Sequence, residues 1–396
     1  MLTASMPRSQ FPHFGAPVAG EPPVEPPFFL PAGLSAMRLH VNNLPERRID
    51  LHCHSSRSVE GLFGMRFHPL LDPVQLYQLA KLRGMDYVTI TDHDSIEGCV
   101  ELLNQFGDLP DFIVGEEVSA VFPDDGMIVH VNVYDIDEEQ HREIQRLRFN
   151  IFELVPYLRS TGKLFQLNHF TWNARHAPFS PERIEQLVDL FDVFEVINGT
   201  RTFVHNSLAW RVLEGEDKVF TAGSDSHTDQ MGTTYTISYG ETRSALLSSI
   251  RKGLTAVAGT FGSVANTRRD TRILLNANRR RLLGGSRGWL ERLSCEARIL
   301  LYRMAYRGVA RGYYMAEHQR MRQFARSADA VLERRSEGRA GLGAVAGLAG
   351  AGTPGVGLGG VDRLGGGLTM AGRGSQGARA GLPELAIAGA GNRAAG

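Results

Sequence analysis

The segment Asp50-Leu51-His52-Cys53-His54 closes an apolar run with two histidines one residue apart. In an extended chain, side chains at i and i+2 share a face about 6–7 Å apart. His52 and His54 therefore converge on one point while Cys53 faces the other way. Such a pair either holds a metal ion or sits as two ordinary surface histidines. Four later apolar runs end in the same chemistry: Thr91-Asp92-His93-Asp94, Gly115-Glu116-Glu117-Val118-Ser119, Asn168-His169 and Gly223-Ser224-Asp225-Ser226-His227. His130 lies inside a further run, Ile128–Ile136.

Collected, the candidates are His52, His54, His93, Glu117, His130, His169, Asp225 and His227, with Asp50, Asp92 and Asp94 close by. Six of the chain's 13 histidines fall in this set, which favours one shared purpose over chance. Nitrogen and carboxylate donors without cysteine suit Mn²⁺, Fe²⁺ or Zn²⁺ better than Mg²⁺ or Ca²⁺. The set is too large for one tetrahedral ion. It implies two or three divalent ions, with a carboxylate such as Glu117 or Asp225 as a bridge.

These residues need a scaffold that delivers strand ends to one place. Between residues 47 and 265, β-rich apolar runs alternate with amphipathic stretches. Strands are expected at Ile49–His54, Tyr87–Thr91, Phe112–Val114, Ile128–Ile136, Leu164–Leu167, Val193–Ile197 and Val219–Ala222. Helices are expected at Pro73–Arg83, Glu97–Phe106, Pro181–Leu190 and Arg243–Lys252. The first has Asp72 as its N-cap, Pro73 at the first position and Gly84 as its stop. A long segment, Glu138–Gly162, is expected to kink at Pro156. This alternation predicts an α/β fold with mostly parallel strands and outer helices. With six or seven units, a (β/α)7 barrel is favoured over an open sheet, and barrel chemistry sits at the C-terminal strand ends. There is no dinucleotide fingerprint and no phosphate-cradling loop.

The rest of the 396-residue chain divides by composition. Residues 1–46 are a proline-rich lead, expected to be disordered. Residues 266–337 are rich in arginine, and an apolar stripe from Trp289 to Met304 and a second stretch at Tyr313–Leu332 predict a helical hairpin. Its arginine face either docks on the barrel as a solvated surface or contacts nucleic acid or acidic lipid. Residues 338–396 are Gly/Ala-rich and expected to be disordered. The formal net charge is zero, so the whole chain announces no electrostatic partner. Three cysteines, Cys53, Cys99 and Cys295, give no disulfide framework and suit a reducing cytoplasm. Neither a signal peptide nor a membrane span is legible.

The ordered set DLHCH, TDHD, GEEVS, VHV, NHF and GSDSH resembles the polymerase and histidinol phosphatase (PHP) family of metal-dependent phosphoesterases, over about residues 47–265. The resemblance implies a distorted barrel with a trinuclear site. His52 and His54 would hold the first ion, His93 would serve the second and Glu117 would bridge. His130 and His169 would serve the third, with Asp225 and His227 completing the set. Where the family usually has an aspartate five residues after the second histidine, this chain has Val59, followed by Glu60, which is the candidate for that ligand position. Phe170 stands where the family often has proline.

Around this centre, Asp50 is expected to orient a ligand histidine. Asp92 and Asp94 are candidates to orient His93 or to touch substrate, and His205 to assist a leaving alkoxide. Arg201 and Arg148 could clamp a phosphate or form surface ion pairs. His68, His176 and His205 are expected in loops and His141 in a helix; apart from that role for His205, each reads as an ordinary histidine. The reading is a phosphatase-like hydrolase of a small phosphomonoester or nucleotide, working through a metal-activated hydroxide. The alternatives are an exonuclease trimming nucleic-acid ends through the arginine-rich segment, and a non-catalytic metal-binding regulatory module. Substrate identity and oligomeric state are not legible.

Overall fold

The structure, a computed structural model, describes residues 44–62, 65–284 and 288–349. The chain forms two compact units, Met1–Gly341 and Leu342–Gly396; the described part of the second is helical. The site lies in the first unit. The lead at 1–43 and the tail beyond 349 lie outside the described residues.

Nine strands form one sheet: β1 (Glu46–Asp50), β4 (Tyr87–Ile90), β5 (Phe112–Val121), β6 (Ile128–Tyr134), β7 (Leu164–Leu167), β8 (Val193–Asn198), β9 (Val219–Gly223), β10 (Thr234–Tyr239) and β11 (Ala256–Gly259). Their order is β11-β10-β1-β4-β5-β6-β7-β8-β9. A separate hairpin joins β2 (Glu60–Leu62) to β3 (Met65–Phe67). The sheet curls until its edges meet. Thr236 Oγ1 on β10 lies 2.8 Å from Ala222 N and 3.0 Å from Ala222 O on β9. Thr255 Oγ1, just before β11, donates to Phe220 O at 2.8 Å. The result is the expected distorted, nearly closed α/β barrel.

The expectation of mostly parallel strands is corrected. β1/β4, β4/β5, β7/β8 and β8/β9 are parallel, but β6 runs antiparallel to both neighbours, and β10 runs antiparallel to β1 and β11. The reason is the β5–β6 link. It is a tight turn closed by Phe122 N to Met127 O and Gly126 N to Phe122 O, each 2.8 Å. A parallel crossover needs about a dozen residues or more.

The outer helices are α1 (Pro73–Leu82), α2 (Glu97–Phe106), α3 (Glu138–Leu147), α4 (Ile151–Thr161), α5 (Pro181–Leu190), α6 (Phe203–Leu213) and α7 (Arg243–Arg251). Asp72 and Gln75 cap α1 reciprocally, with Pro73 in its first turn. The long 138–162 segment breaks at Asn150 rather than Pro156. The Asn150 side chain accepts from Phe152 N at 3.1 Å and so starts a new helix, inside which Pro156 sits. The main apolar core lies beneath β5–β9 and packs Val118, Val131, Leu154, Phe170, Phe194 and Val212 together.

Two further helices, α8 (Val264–Gly284) and α9 (Trp289–Ala349), make up the arginine-rich segment. Arg279 and Glu296 pair across their break at 2.7 Å. The expected hairpin of Trp289–Met304 and Tyr313–Leu332 is corrected: both stretches lie in the single helix α9, because residues 305–312 between them contain no proline to break it. α9 continues beyond the expected boundary at 337, so the start of the expected tail is helical. Both helices dock on the barrel. Leu275, Met321, Phe324, Ala328 and Val331 are buried. Arg269 pairs with Asp229, Arg334 with Glu182 and Glu185, and Arg335 with Glu216. Those arginines answer acids of the barrel. No helix among the described residues is long and apolar enough to cross a membrane.

Candidate metal centre

β1 ends at Asp50, and everything after it is held by its neighbours. The buried Asp50 carboxylate accepts from Ser224 N (2.8 Å), Gly232 N (2.7 Å) and His52 N (3.2 Å), which ties the end of β1 to the end of β9. Burial raises its pKa to about 6, against those hydrogen bonds. Beyond it the two segments run side by side: Asp225 N donates to His52 O at 2.7 Å, and His54 N to Ser226 O at 3.0 Å. Gly223 makes this possible, since a β-carbon there would lie 2.4 Å from His52 Cβ. Asp94, His169 and Asp225 have φ of 50°, 29° and 51°. Non-glycine residues seldom adopt this left-handed region, and such strain gathers at functional sites.

These turns place six imidazoles around two carboxylates, five of them facing Glu117 and His227 facing Asp225. Glu117 Oε1 lies 3.1 Å from His52 Nε2, 3.0 Å from His130 Nδ1 and 3.3 Å from His169 Nε2. Its Oε2 lies 3.3 Å from His54 Nε2 and 3.1 Å from His93 Nδ1. Asp225 Oδ1 lies 3.4 Å from His54 Nε2, 3.6 Å from His52 Nε2 and 3.7 Å from His227 Nδ1. The rings press on one another, His54 against His227 at 4.3 Å and against His93 at 4.7 Å between centroids. Four overlapping triads have donor atoms within 4.8 Å of one another: His54/His93/His227, His52/Glu117/His169, His52/His54/Asp225 and His93/Glu117/His130.

Protonation alone cannot satisfy this arrangement. Two unit charges 4 Å apart repel by about 4 kcal/mol at an effective dielectric of about 20, so six imidazolium ions in contact are untenable. Burial, and then the neighbouring His227, push His54 down to about 4, and burial pushes His169 down to about 3. Burial works against charge on His52 too, but Glu117, Glu195 and Asp225 hold it well above its usual value. Burial likewise opposes ionisation of Glu117 and Asp225, yet the facing imidazoles keep both well below the carboxylate range. His52 Nε2, both ring nitrogens of His54 and His169 Nδ1 are buried without a hydrogen-bond partner. Burial favours the neutral form of His54 and His169, and neutral imidazoles beside carboxylate oxygens suit a cation between them. Donors bound to one ion at about 2.0–2.2 Å stand about 3–4 Å apart, which is the spacing seen. The residues fit a cluster of divalent ions.

The surroundings correct several expectations. Asp92 turns both oxygens to Ser55, 2.6 Å from its N and 2.6 Å from its Oγ. Asp94 accepts from Ser119 N at 2.8 Å and pairs with Arg148 at 3.3 Å. Both carboxylates thus fix loops around His93, which supports an orienting role over a catalytic one. Arg148 is engaged there and lies 4.5 Å over the Phe149 ring. His205 lies on α6, not in a loop, and both its nitrogens have protein partners: Thr171 Oγ1 at 2.9 Å and Glu317 Oε2 at 3.1 Å. It is therefore not placed to meet a leaving group. Arg201 lies 4.4 Å over the Trp172 ring, with Nε buried and lacking a hydrogen-bond partner, and Trp172 packs against His169 and His130 at 5.0 and 5.4 Å. Val59 is exposed, while the Glu60 side chain lies outside the described residues. His141 bonds Glu116 at 2.9 Å, so of the two adjacent glutamates only Glu117 faces the imidazoles.

Three residues went unnoticed in the sequence. Glu195 bonds His52 Nδ1 and His169 N, each at 2.9 Å. Asn168 donates to Glu117 Oε1 at 2.8 Å, and Asn198 to Asp225 Oδ2 at 3.2 Å. Glu195 had a signal: it is the one acid in Val193-Phe194-Glu195-Val196-Ile197, an otherwise apolar strand.

No family model and no curated protein matches the chain. Among solved structures it is similar to a two-domain protein from Bacteroides vulgatus containing a predicted PHP-like metal-dependent phosphoesterase (17% identity, 58% of this chain and 70% of that one, TM-score 0.41). It is also similar to PsfC from Pseudomonas syringae (17%, 59% and 97%, TM-score 0.40). A third is an amidohydrolase from Chromobacterium violaceum with bound sulfate and no metal (16%, 46% and 89%, TM-score 0.34).

Proposed function

We propose that this chain is a metal-dependent phosphoric ester hydrolase acting on a small phosphomonoester or nucleotide. The observation that carries the proposal is Glu117, one buried carboxylate within 3.0–3.3 Å of five imidazoles. His52, His54, His93, Glu117, His130, His169, Asp225 and His227 would hold two or three divalent ions. Such ions would lower the pKa of water and offset charge on phosphoryl oxygens. With an ion bound, Glu195 would accept the Nδ1 proton of His52 and so leave Nε2 as the lone pair for the metal. Arg201, its guanidinium carbon 4.4 Å from the Trp172 ring centre, would take a phosphoryl oxygen pair. The nucleic-acid reading gains nothing from the arginines that pair with the barrel's own acids.

The test is elemental analysis of the purified protein, followed by hydrolysis of an aryl phosphate before and after chelation. Metal at two or three equivalents, activity lost with chelator and regained with Mn²⁺, is the expected result. Bound metal without turnover on any phosphorylated metabolite would leave a binding module instead.

A further inference from the structure

The arginine-rich segment reaches the site by one specific route. Glu317 on α9 is buried and lies 3.1 Å, through Oε2, from His205 Nε2. The other ring nitrogen of His205 lies 2.9 Å from Thr171 Oγ1. Thr171 is two residues from His169, whose strained backbone (φ 29°) aims its ring at Glu117. The turn closes with Trp172 N donating to His169 O at 2.8 Å. Between these residues, Phe170 packs against Phe324 of the same helix at 5.7 Å.

The bonding fixes a tautomer. A carboxylate accepts only, so His205 carries its proton on Nε2, and Nδ1 accepts from the Thr171 hydroxyl. Burial lowers the pKa of His205, consistent with a neutral ring here. Arg320 pairs with the second Glu317 oxygen and holds that carboxylate in place. Without the carboxylate, His205 is free to take the other tautomer, in which Nδ1–H donates to Thr171 Oγ1 and the hydroxyl proton must turn away to another acceptor, so the Thr171 contact is no longer held in one arrangement.

We infer that Glu317 is a positioning residue: acting through His205 and Thr171, it holds the His169 turn in the geometry that binds metal. α9 thereby contributes to a centre that it does not touch. The inference rests on the metal-centre reading above.

The test is chelator-competition titration of the full chain with Zn²⁺ or Mn²⁺, alongside thermal unfolding. Glu317→Ala should weaken the most weakly held ion by up to about 10-fold, the low end of what losing a direct partner of a ligand histidine does, because Glu317 acts through two intervening residues. Thr171→Val, which keeps the volume and removes the hydroxyl, should do the same; it carries the test if Glu317→Ala fails to fold. Glu317→Gln should stay near wild type, because its amide oxygen still accepts from His205 Nε2–H. Arg334→Ala removes the ion pairs of α9 to Glu182 and Glu185, and should lower the melting temperature with metal affinity intact. Wild-type affinity in both Glu317→Ala and Thr171→Val would overturn the inference, as would an equal loss in Arg334→Ala. If wild type itself takes up no metal, the parent reading fails as well, and that result is distinct from the other two.

Discussion

Glu195 and His52 meet at 2.9 Å, Oε1 to Nδ1, with both side chains wholly withdrawn from solvent. The contact fixes which nitrogen of His52 faces the centre. Glu195→Gln should keep the fold while weakening metal binding by about 10–100-fold. Glu195→Ala strands a buried imidazole and should destabilise by about 3–5 kcal/mol. Chelator competition and urea unfolding measure the two effects. Unchanged metal affinity in Glu195→Gln would remove this residue from the site.

Gly223 is where the backbone of β9 passes His52. A methyl group there would fall 2.4 Å from His52 Cβ and 2.9 Å from Glu195 Oε1. Gly223→Ala should cost about 1–3 kcal/mol through overpacking and displace His52. Calorimetry would show the lower melting temperature and metal titration the lost affinity. An alanine variant indistinguishable from wild type would show that the approach is looser than described.

Arg201 and Arg148 should separate in kinetics. Arg201 stacks on Trp172 beside His169, whereas Arg148 is tied to Asp94. A hydrogen bond to a charged group contributes about 1.5–3 kcal/mol. Arg201→Ala should therefore raise KM for a phosphomonoester by about 10-fold or more. Arg148→Ala should act more weakly, through Asp94 and its bond to Ser119 of β5. The reverse ranking would reassign the phosphate clamp.

His141 offers a pH signature away from the imidazole cluster. Its hydrogen bond to Glu116 raises its pKa above the usual 6.5. A histidine with a raised folded pKa binds its proton more tightly in the folded state. Its stabilising contribution is complete below about 6.5, the unfolded value, and fades as pH rises through the higher folded value. Wild type should lose stability relative to His141→Gln over that rise, as read by urea midpoints. Parallel pH profiles would show that the pair contributes nothing.

Legibility in the sequence followed the range of the interactions. Helix starts were readable because a cap is decided within four residues, as at Asp72-Pro73. The break at Asn150 was misplaced onto Pro156 because proline is the louder local signal, although asparagine provides the cap. The reversal of β6 was missed because strand direction is set by the length of the preceding turn and not by the strand's own pattern. Glu116 and Glu117 are neighbours in an extended strand, so they had to face opposite ways. The sequence resemblance chose Glu117, and the geometry then found it among the imidazoles.

The amino-acid order alone determined the donor inventory, the α/β class and the strand ends that carry the chemistry, because residue type and period-two alternation are local properties. Only the tertiary structure decided which donors share a point and what stands behind them. Glu195, Asn198 and Glu317 take their roles from contacts across 143, 27 and 112 residues of chain. No local pattern encodes such contacts. They exist once burial has brought the strands and the last helix together, and in a dry interior every polar atom then needs a partner.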